Sequence, residues 1–464
     1  MKNLNFEPGS FRDPSGRVFY KNNRVFRSLS SNGVKRFEFL KKNNLLEDLI
    51  KKEYLINSKE HLEDINTLQL NNKYKILEHE KISFISYPYE WTFTQLKDAA
   101  IFHLDLQLYL LKKNAKLIDA SAYNIQFKRN KPIFIDLLSI DEYKEGEYWY
   151  AHKQFCENFL NPLVLSSKKG INFNNWFRGN LEGISTNEIY SVLRIFDFFS
   201  PTLFFHIFLL NKFDEKTKID PNIINKKIST AKKLTKKSYS NILVQLKNYI
   251  TNLKNKKKIS SWGNYSENNT YKFDEEEKKI NLINDFVDRN NIKFLVDLGC
   301  NDGKYSKYAA SQKNIEVVGI DFDLNALDRA FVDSKNNKSN FFPIFLDFSN
   351  PSSNLGWNNK ERKSFEDRVN FDSMIALAVI HHLVIAKNIP IEDAIKWLTS
   401  LAPRGLIEFV PKDDPTVKIM LKLKGDLFPE YNEENFQNIL SKFCTIKNIT
   451  KITSSERKIY EYTK

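Results

Sequence analysis

The run Val296-Asp-Leu-Gly-Cys-Asn-Asp-Gly-Lys304 decides the fold of the C-terminal half. It completes an apolar, β-prone stretch, FLVDLG from Phe294. A loop holding Gly299 and Gly303 follows, and a helical pattern begins near Lys304. Such a loop gathers backbone N–H groups and a helix N-terminus at one point, and its glycines let a ligand approach the main chain. Spacing removes two of the ligand loops built this way. A dinucleotide fingerprint would need glycine at Asn301 and Lys304. A P-loop would need four residues between its glycines and a Ser or Thr after the lysine; here there are three, and Tyr305 follows. What remains is D-x-G-x-x-x-G, with an acid, Asp321 in GIDFD, 18 residues beyond Gly303.

Outward from that loop the same rhythm repeats. EVVGIDF (from Glu316), FFPIFLDF (from Phe341), DSMIALAV (from Asp372) and GLIEFV (from Gly405) alternate with helical stretches. Apolar, β-rich runs separated by helices predict an α/β domain with a mostly parallel sheet. A helix over Glu433–Phe443 and strands over Thr445–Ile452 and Lys458–Tyr462 bring the expected sheet to seven strands.

From about Tyr265 to Lys464 the chain resembles class I S-adenosylmethionine (SAM)-dependent methyltransferases. The resemblance implies a Rossmann-like fold with SAM as cofactor. It puts Asp297, Gly299 and Gly303 around the methionine moiety, Asp321 on the ribose hydroxyls and Phe322 beside the adenine. Asp347, followed by Phe348 in LDF, corresponds to the family's acidic contact near the adenine amino group. DSMIALAVIHHL resembles the fourth-strand motif, which lines the cofactor and faces the substrate. The family's usual central glycine is Asn301 here, and asparagine tolerates positive φ better than other non-glycine residues. The implied roles are physically sound. A carboxylate against vicinal hydroxyls accepts charge-assisted hydrogen bonds, and open sheets bind ligands where their strand order reverses.

The acceptor is less legible. Adenine- and glutamine-type amine methyltransferases carry an NPPY-like tetrapeptide where this chain has Leu377-Ala-Val-Ile380, and none of the three cysteines follows a proline, as a pyrimidine C5 nucleophile usually does. Hydroxyl, carboxyl, amine or carbon acceptors remain, with a small molecule or saccharide favoured. His381 and His382 are the candidate general bases, since a neutral imidazole can take a proton from a hydroxyl. The other reading is one histidine packed under the sheet edge and one bonded to a backbone carbonyl. Glu408 and Asp413, in EFVPKDDP, are further acceptor-side candidates.

The N-terminal half carries Asp119-Ala-Ser-Ala-Tyr-Asn124 and then Ile133-Phe-Ile-Asp136. Over about Ile82–Leu210 this order resembles the catalytic base and Mg²⁺ ligands of kinase-like phosphotransferases. Leu117 replaces the expected histidine, Leu137-Leu138 replaces Phe-Gly after Asp136, and neither a glycine-rich loop nor a V-A-I-K lysine is found. The expectation is a degenerate, mainly helical α+β module. The alternative is a bifunctional phosphotransferase–methyltransferase, separable by Mg²⁺-dependent ATP binding. The whole arrangement resembles a bacterial family of two-module methyltransferases linked to cell-surface saccharide or nodulation-factor modification.

Composition bounds these readings. The 464 residues are 41% hydrophobic and 14% aromatic, enough to exclude disorder as the main state. Fourteen lysines against three acids between Asn211 and Lys258 account for +11 of the net +14. The expected organisation is therefore an N-terminal module (1–210), a basic helical connector (211–262) and the methyltransferase domain (263–464). RNA or an anionic surface is a possible partner of the Lys-rich 212–258, although no aromatic platform or arginine grip is interleaved. Three cysteines without CxxC or Cys/His spacing predict neither a disulfide framework nor a metal site, and with no apolar leader they fit the cytoplasm. Val192–Leu210 is greasy but broken by Arg194, Asp197, Pro201 and His206, so two core helices meeting at Pro201 are expected rather than a membrane span.

Overall fold

The computed structural model describes residues 5–61, 75–219, 233–256, 273–312, 315–452 and 456–464. The chain forms two compact units, Met1–Lys258 with Asn354–Arg362, and Ile259–Ser353 with Lys363–Lys464.

The second unit is built on seven strands: β10 (Phe294–Leu298), β11 (Glu316–Asp321), β12 (Phe341–Phe345), β13 (Ser373–Ala376), β14 (Arg404–Phe409), β15 (Thr445–Lys451) and β16 (Lys458–Thr463). Their order is β12-β11-β10-β13-β14-β16-β15. Neighbours from β12 to β14 pair in parallel, and β16 runs antiparallel to both β14 and β15. The order therefore turns between β10 and β13. Helices cover the sheet, so its central strands are nearly continuous apolar runs. Leu295 on β10, Val317 on β11, Ile375 on β13 and Leu406 on β14 pack with Ile283, Phe286, Leu327 and Phe341 in one core. Truncating a fully buried Phe341 would cost about 3–5 kcal/mol.

The first unit has a five-stranded antiparallel sheet of β1 (Asn5–Phe6), β2 (Gly16–Lys21), β3 (Arg24–Leu29), β4 (Ser58–Glu60) and β5 (Ile76–His79). The order is β1-β2-β3-β5-β4. Ser30 caps a helix over Ser31–Lys42. A long helix, Phe93–Lys112, opens with a capping box from Thr92 and Gln95 that satisfies two orphan N–H groups. Between the antiparallel pair β6 (Ala115–Leu117) and β9 (Ile140–Glu142), a short hairpin, β7 (Ile125–Lys128) with β8 (Lys131–Phe134), separates Asn124 from Asp136.

Two expectations change. The later part of the expected basic connector forms a helix, Lys236–Asn252, whose Tyr239, Leu243, Leu246 and Ile250 are buried. It is a packed element of the first unit, held also by Lys247 to Asp105 at 2.5 Å, rather than a solvated linker. Residues 220–232 and 257–262 of that segment lie outside the described residues. Val192–Leu210 is not core throughout. Leu203 and Ile207 are buried, but Ile195, Phe196, Phe199 and Phe205 are exposed, because a short 3₁₀ turn at Ile195–Phe199 and a π turn at Phe204–Phe208 replace two regular helices. Among the described residues, no helix is long and apolar enough to cross a membrane.

Candidate functional site

The loop after β10 is set by backbone geometry. Gly299, Asn301 and Gly303 all have positive φ, +77°, +50° and +79°. Asn301 thus occupies the left-handed position that the family usually gives to glycine, and its side-chain Oδ1 is buried without a hydrogen-bond partner. Gly303 caps the helix Lys304–Ser311, and a Cβ there would lie 2.2 Å from the Phe341 ring. A Cβ on Gly299 would lie 2.7 Å from Cγ2 of Val379, so the turn after β13 abuts this loop.

Two acids stand at the strand ends. Asp297 is 2% exposed, and its Oδ2 accepts from the Ser306 hydroxyl at 2.5 Å. Burial, with Asp321 nearby and Ser306 pulling partly back, lifts its pKa to about 7. Asp321 accepts the Asn301 N–H on one oxygen and the Asp323 N–H on the other, each at 2.9 Å. The Phe322 N–H acts on the same carboxylate more weakly, and acceptor capacity remains. Burial raises its pKa to about 6 against the pull of those N–H groups. A buried carboxylate with spare acceptors beside a loop of positive-φ residues that brings the main chain close fits a polar ligand with hydroxyl donors, as the ribose of SAM has.

The other expected cofactor residues lie further out. Phe322 follows Asp321 and is 46% exposed. Asp347 accepts from the Ser349 N–H and hydroxyl at 2.9 and 2.6 Å, with Lys387 at 3.7 Å. Phe348 packs toward Trp397, ring centres 6.1 Å apart.

After β13 the chain turns through Ala378, a non-glycine residue at φ +56°, into a π turn at His382–Ala386. Strain of this kind and π turns concentrate at functional sites. His381 is 1% exposed with neither ring nitrogen hydrogen-bonded, and the His382 ring lies 4.2 Å away centre to centre, tilted by 39°. Burial pushes His382 down to about pH 4, and burial, His382 and Lys279 hold His381 well below the ordinary histidine value. Both rings are neutral.

Of the two acceptor-side acids, Glu408 is fully buried, whereas Asp413 points outward, 92% exposed beside Lys418. The inward residue is Asp414. Lys279 and Arg457, which join Glu408 and Asp414 in a buried ion cluster, were missed because they sit in stretches that look like solvated polar faces.

In the first unit, Asp119 and Asn124 come together: Asn124 Nδ2 donates to Asp119 Oδ2 at 3.2 Å, and the Ser121 N–H donates to Oδ1 at 2.7 Å. Asp136 is engaged elsewhere. Arg27 on β3 lies 2.5 Å from its Oδ1, the Ser139 hydroxyl donates to Oδ2, and Arg27 also grips Asp13. Burial alone would raise the Asp136 pKa, but Arg27 and Ser139 hold it below the usual carboxylate value. The fold also assembles a Cys/His group that spacing did not reveal. His152 Nε2 is 2.7 Å from His206 Nδ1 and 3.5 Å from Cys156 Sγ.

No family model matches the chain. Magnesium protoporphyrin IX methyltransferase (ChlM) from Synechocystis PCC 6803, solved with bound SAH, is 19% identical over 41% of this chain and 84% of its own, at a TM-score of 0.30. A TehB-like SAM-dependent methyltransferase from Corynebacterium glutamicum is 16% identical over 48% and 98%, at 0.29. WbdD is 17% identical over 44% and 43%, at 0.32. Scores of this size decide nothing about chemistry. The sequence relative is of another order: nodulation protein NoeA of Rhizobium meliloti (strain 1021) is 40% identical over 459 residues, spanning 98% of this chain and 95% of its own. With that identity along almost the whole of both chains, this protein belongs to the family of nodulation protein NoeA.

Proposed function

We propose that the second unit is a SAM-dependent methyltransferase acting on a small-molecule or saccharide acceptor. The observation that carries this reading is Asp321. It stands at the end of β11, beside the point where the strand order turns, fixed by two backbone N–H groups and with lone pairs to spare. Asn301 with the same backbone twist as its glycine neighbours supports it.

When bound, SAM supplies a methyl group on a sulfonium, to be taken by an acceptor lone pair. The chain's own part is positioning, which alone can supply much of the acceleration. Asp321 takes the ribose hydroxyls, and the loop Gly299–Gly303 receives the methionine end. Phe322, Asp347 and Phe348 border the adenine. The turn at Ala378–His382 excludes water on the acceptor side.

For the first unit we propose a binding role without phosphoryl transfer. Asp136, the expected second Mg²⁺ ligand, already has its charge matched by Arg27 and an oxygen taken by Ser139.

Ultraviolet cross-linking of tritiated SAM to the full chain tests the reading. Label is expected in the peptides containing residues 297–304 or 321–322. Label confined to the first unit would contradict it.

A further inference from the structure

We propose that Glu408 and His381 form the acceptor side of the second unit's site, and that the group they receive is a hydroxyl. This rests on the methyl-transfer reading above.

The cluster around Glu408 has two unlike halves. In one, every strong group is used. Arg457 Nε lies 2.7 Å from Asp414 Oδ2, and Asp414 Oδ1 accepts the Thr416 N–H at 2.9 Å as the cap of the helix Pro415–Lys424. In the other half, Lys279 Nζ donates to Glu408 Oε2 at 2.8 Å, both side chains at most 1% exposed. Glu408 Oε1 then has no hydrogen-bond partner, with Arg457 Nη1 at 3.8 Å, and both nitrogens of His381, a ring near enough to Lys279 to feel its charge, are bare. Three buried polar atoms left unmet in one half of a cluster are unusual, since a buried ion pair that serves only the fold needs its remaining lone pairs satisfied.

Position relates this half to the loop after β10. Glu408 is the penultimate residue of β14, His381 follows β13, and Val379, two residues before His381, abuts Gly299. Lys279 lies 5.8 Å from the centre of the Tyr305 ring, in the first turn of the helix capped by Gly303. The bare atoms therefore belong to the ends of β13 and β14, beside the turn in strand order, where ligands of open sheets sit.

Hydrogen-bond capacity selects the ligand. Two cations face Glu408, so Oε1 is an acceptor and needs a hydrogen from its guest. A carboxylate or phosphate acceptor would set lone pair against lone pair. A neutral imidazole offers one donor and one acceptor, which suits an oxygen that itself donates and accepts. A protonated amine has no lone pair to methylate. A hydroxyl donates its hydrogen to Glu408 Oε1 and accepts from the imidazole N–H, which leaves its second lone pair for the methyl carbon. As its oxygen forms the bond to the methyl carbon, the carbon–sulfur bond breaks and its electron pair stays on sulfur. The hydroxyl proton, now on a positively charged oxygen, passes to Glu408 Oε1.

The full-length chain provides the test. Replacing a bare buried imidazole with an apolar side chain should not weaken the fold, so His381→Leu should melt at or above the wild-type temperature with unchanged affinity for S-adenosylhomocysteine. Melting several degrees lower would mean that the ring is satisfied by the fold, and would overturn the proposal. Methyl-tritiated SAM with a protein-free extract of the producing cells gives the second readout. Wild type should yield alkali-stable label, and Glu408→Gln should yield about 100-fold less. Because that variant strands Lys279, the double variant Lys279→Met/Glu408→Leu, which removes the buried pair together, serves as the folded control. It should bind S-adenosylhomocysteine and transfer nothing. Wild-type transfer by the double variant, or label released as methanol by alkali, would overturn the hydroxyl pocket. Failure of the wild type to bind S-adenosylhomocysteine would instead strike the methyl-transfer reading, leaving the His381→Leu melting result to judge the pocket.

Discussion

Two regions of this molecule place an aspartate at the end of a β-structure, and they treat it in opposite ways. Asp321, after β11, is held by backbone N–H groups alone, with no ion-pair partner among the described residues; its pKa is raised and its lone pairs are open. Asp136, after β8, is matched by Arg27 and Ser139, and its pKa is lowered. The first is an acid kept ready for a ligand at some expense to the fold. The second is an acid spent on the fold. A motif shows which acid is present, and its neighbours show whether it is free.

The comparison breaks most readily at Arg27. It is 5% exposed between Asp13 and Asp136, so Arg27→Met strands two largely buried carboxylates and should destabilise the first unit by about 3 kcal/mol in denaturant unfolding. Little change would mean that Asp136 is not committed to the fold. Asp321→Ala should leave stability intact but weaken S-adenosylhomocysteine binding at least about tenfold, from hydrogen bonds to a charged group at about 1.5–3 kcal/mol each. Wild-type affinity in that variant would remove the ribose assignment.

The two regions should also answer pH with opposite signs. Asp297 and Asp321 hold their protons to about pH 7 and 6 when folded, well above the unfolded value of 3.8. Their contribution is present below the unfolded value and is lost as pH rises from about 4 to 7. Asp136, lowered on folding, contributes above its unfolded value and loses that contribution as pH falls below about 4. Ligand-free unfolding followed across this range by a probe in each unit checks both slopes. Equal slopes in the two units would contradict the contrast. The smallest effect belongs to Asn301→Gly. Its φ of +50° suits either residue, so calorimetry should find S-adenosylhomocysteine affinity nearly unchanged; a large loss would give the Asn301 side chain a direct role.

Much of the second unit was legible because a parallel sheet covered on both faces writes its strands as unbroken apolar runs. The stretches beginning at Phe294, Glu316 and Phe341 are β10, β11 and β12 from their first residues, and the helix Glu433–Phe443 has the expected ends. The loop was legible because positive φ restricts residue choice, at Asn301 as at the two glycines. The buried charges were not. Lys279 sits in FDEEEKKINLINDF, which reads as a solvated face, and its partner Glu408 is 129 residues away. Arg27 escaped for the same reason: in a strand of alternating character an arginine looks outward, and only the fold brings Asp13 and Asp136 to it. Asn354–Arg362, lying between β12 and β13 in sequence, gave no sign that it belongs to the first unit, where Arg362 stacks 4.1 Å over Tyr123.

The central claim is that the open acid serves a nucleoside ligand and the closed one does not. Calorimetry of the full chain against S-adenosylhomocysteine, with ATP·Mg²⁺ in parallel, tests it most directly. The account predicts saturable one-site binding of S-adenosylhomocysteine, with about 2.7 kcal/mol of added stability at 100 times the Kd, and no heat from ATP·Mg²⁺. ATP·Mg²⁺ binding that Asp136→Ala abolishes, or no response to S-adenosylhomocysteine, would contradict it.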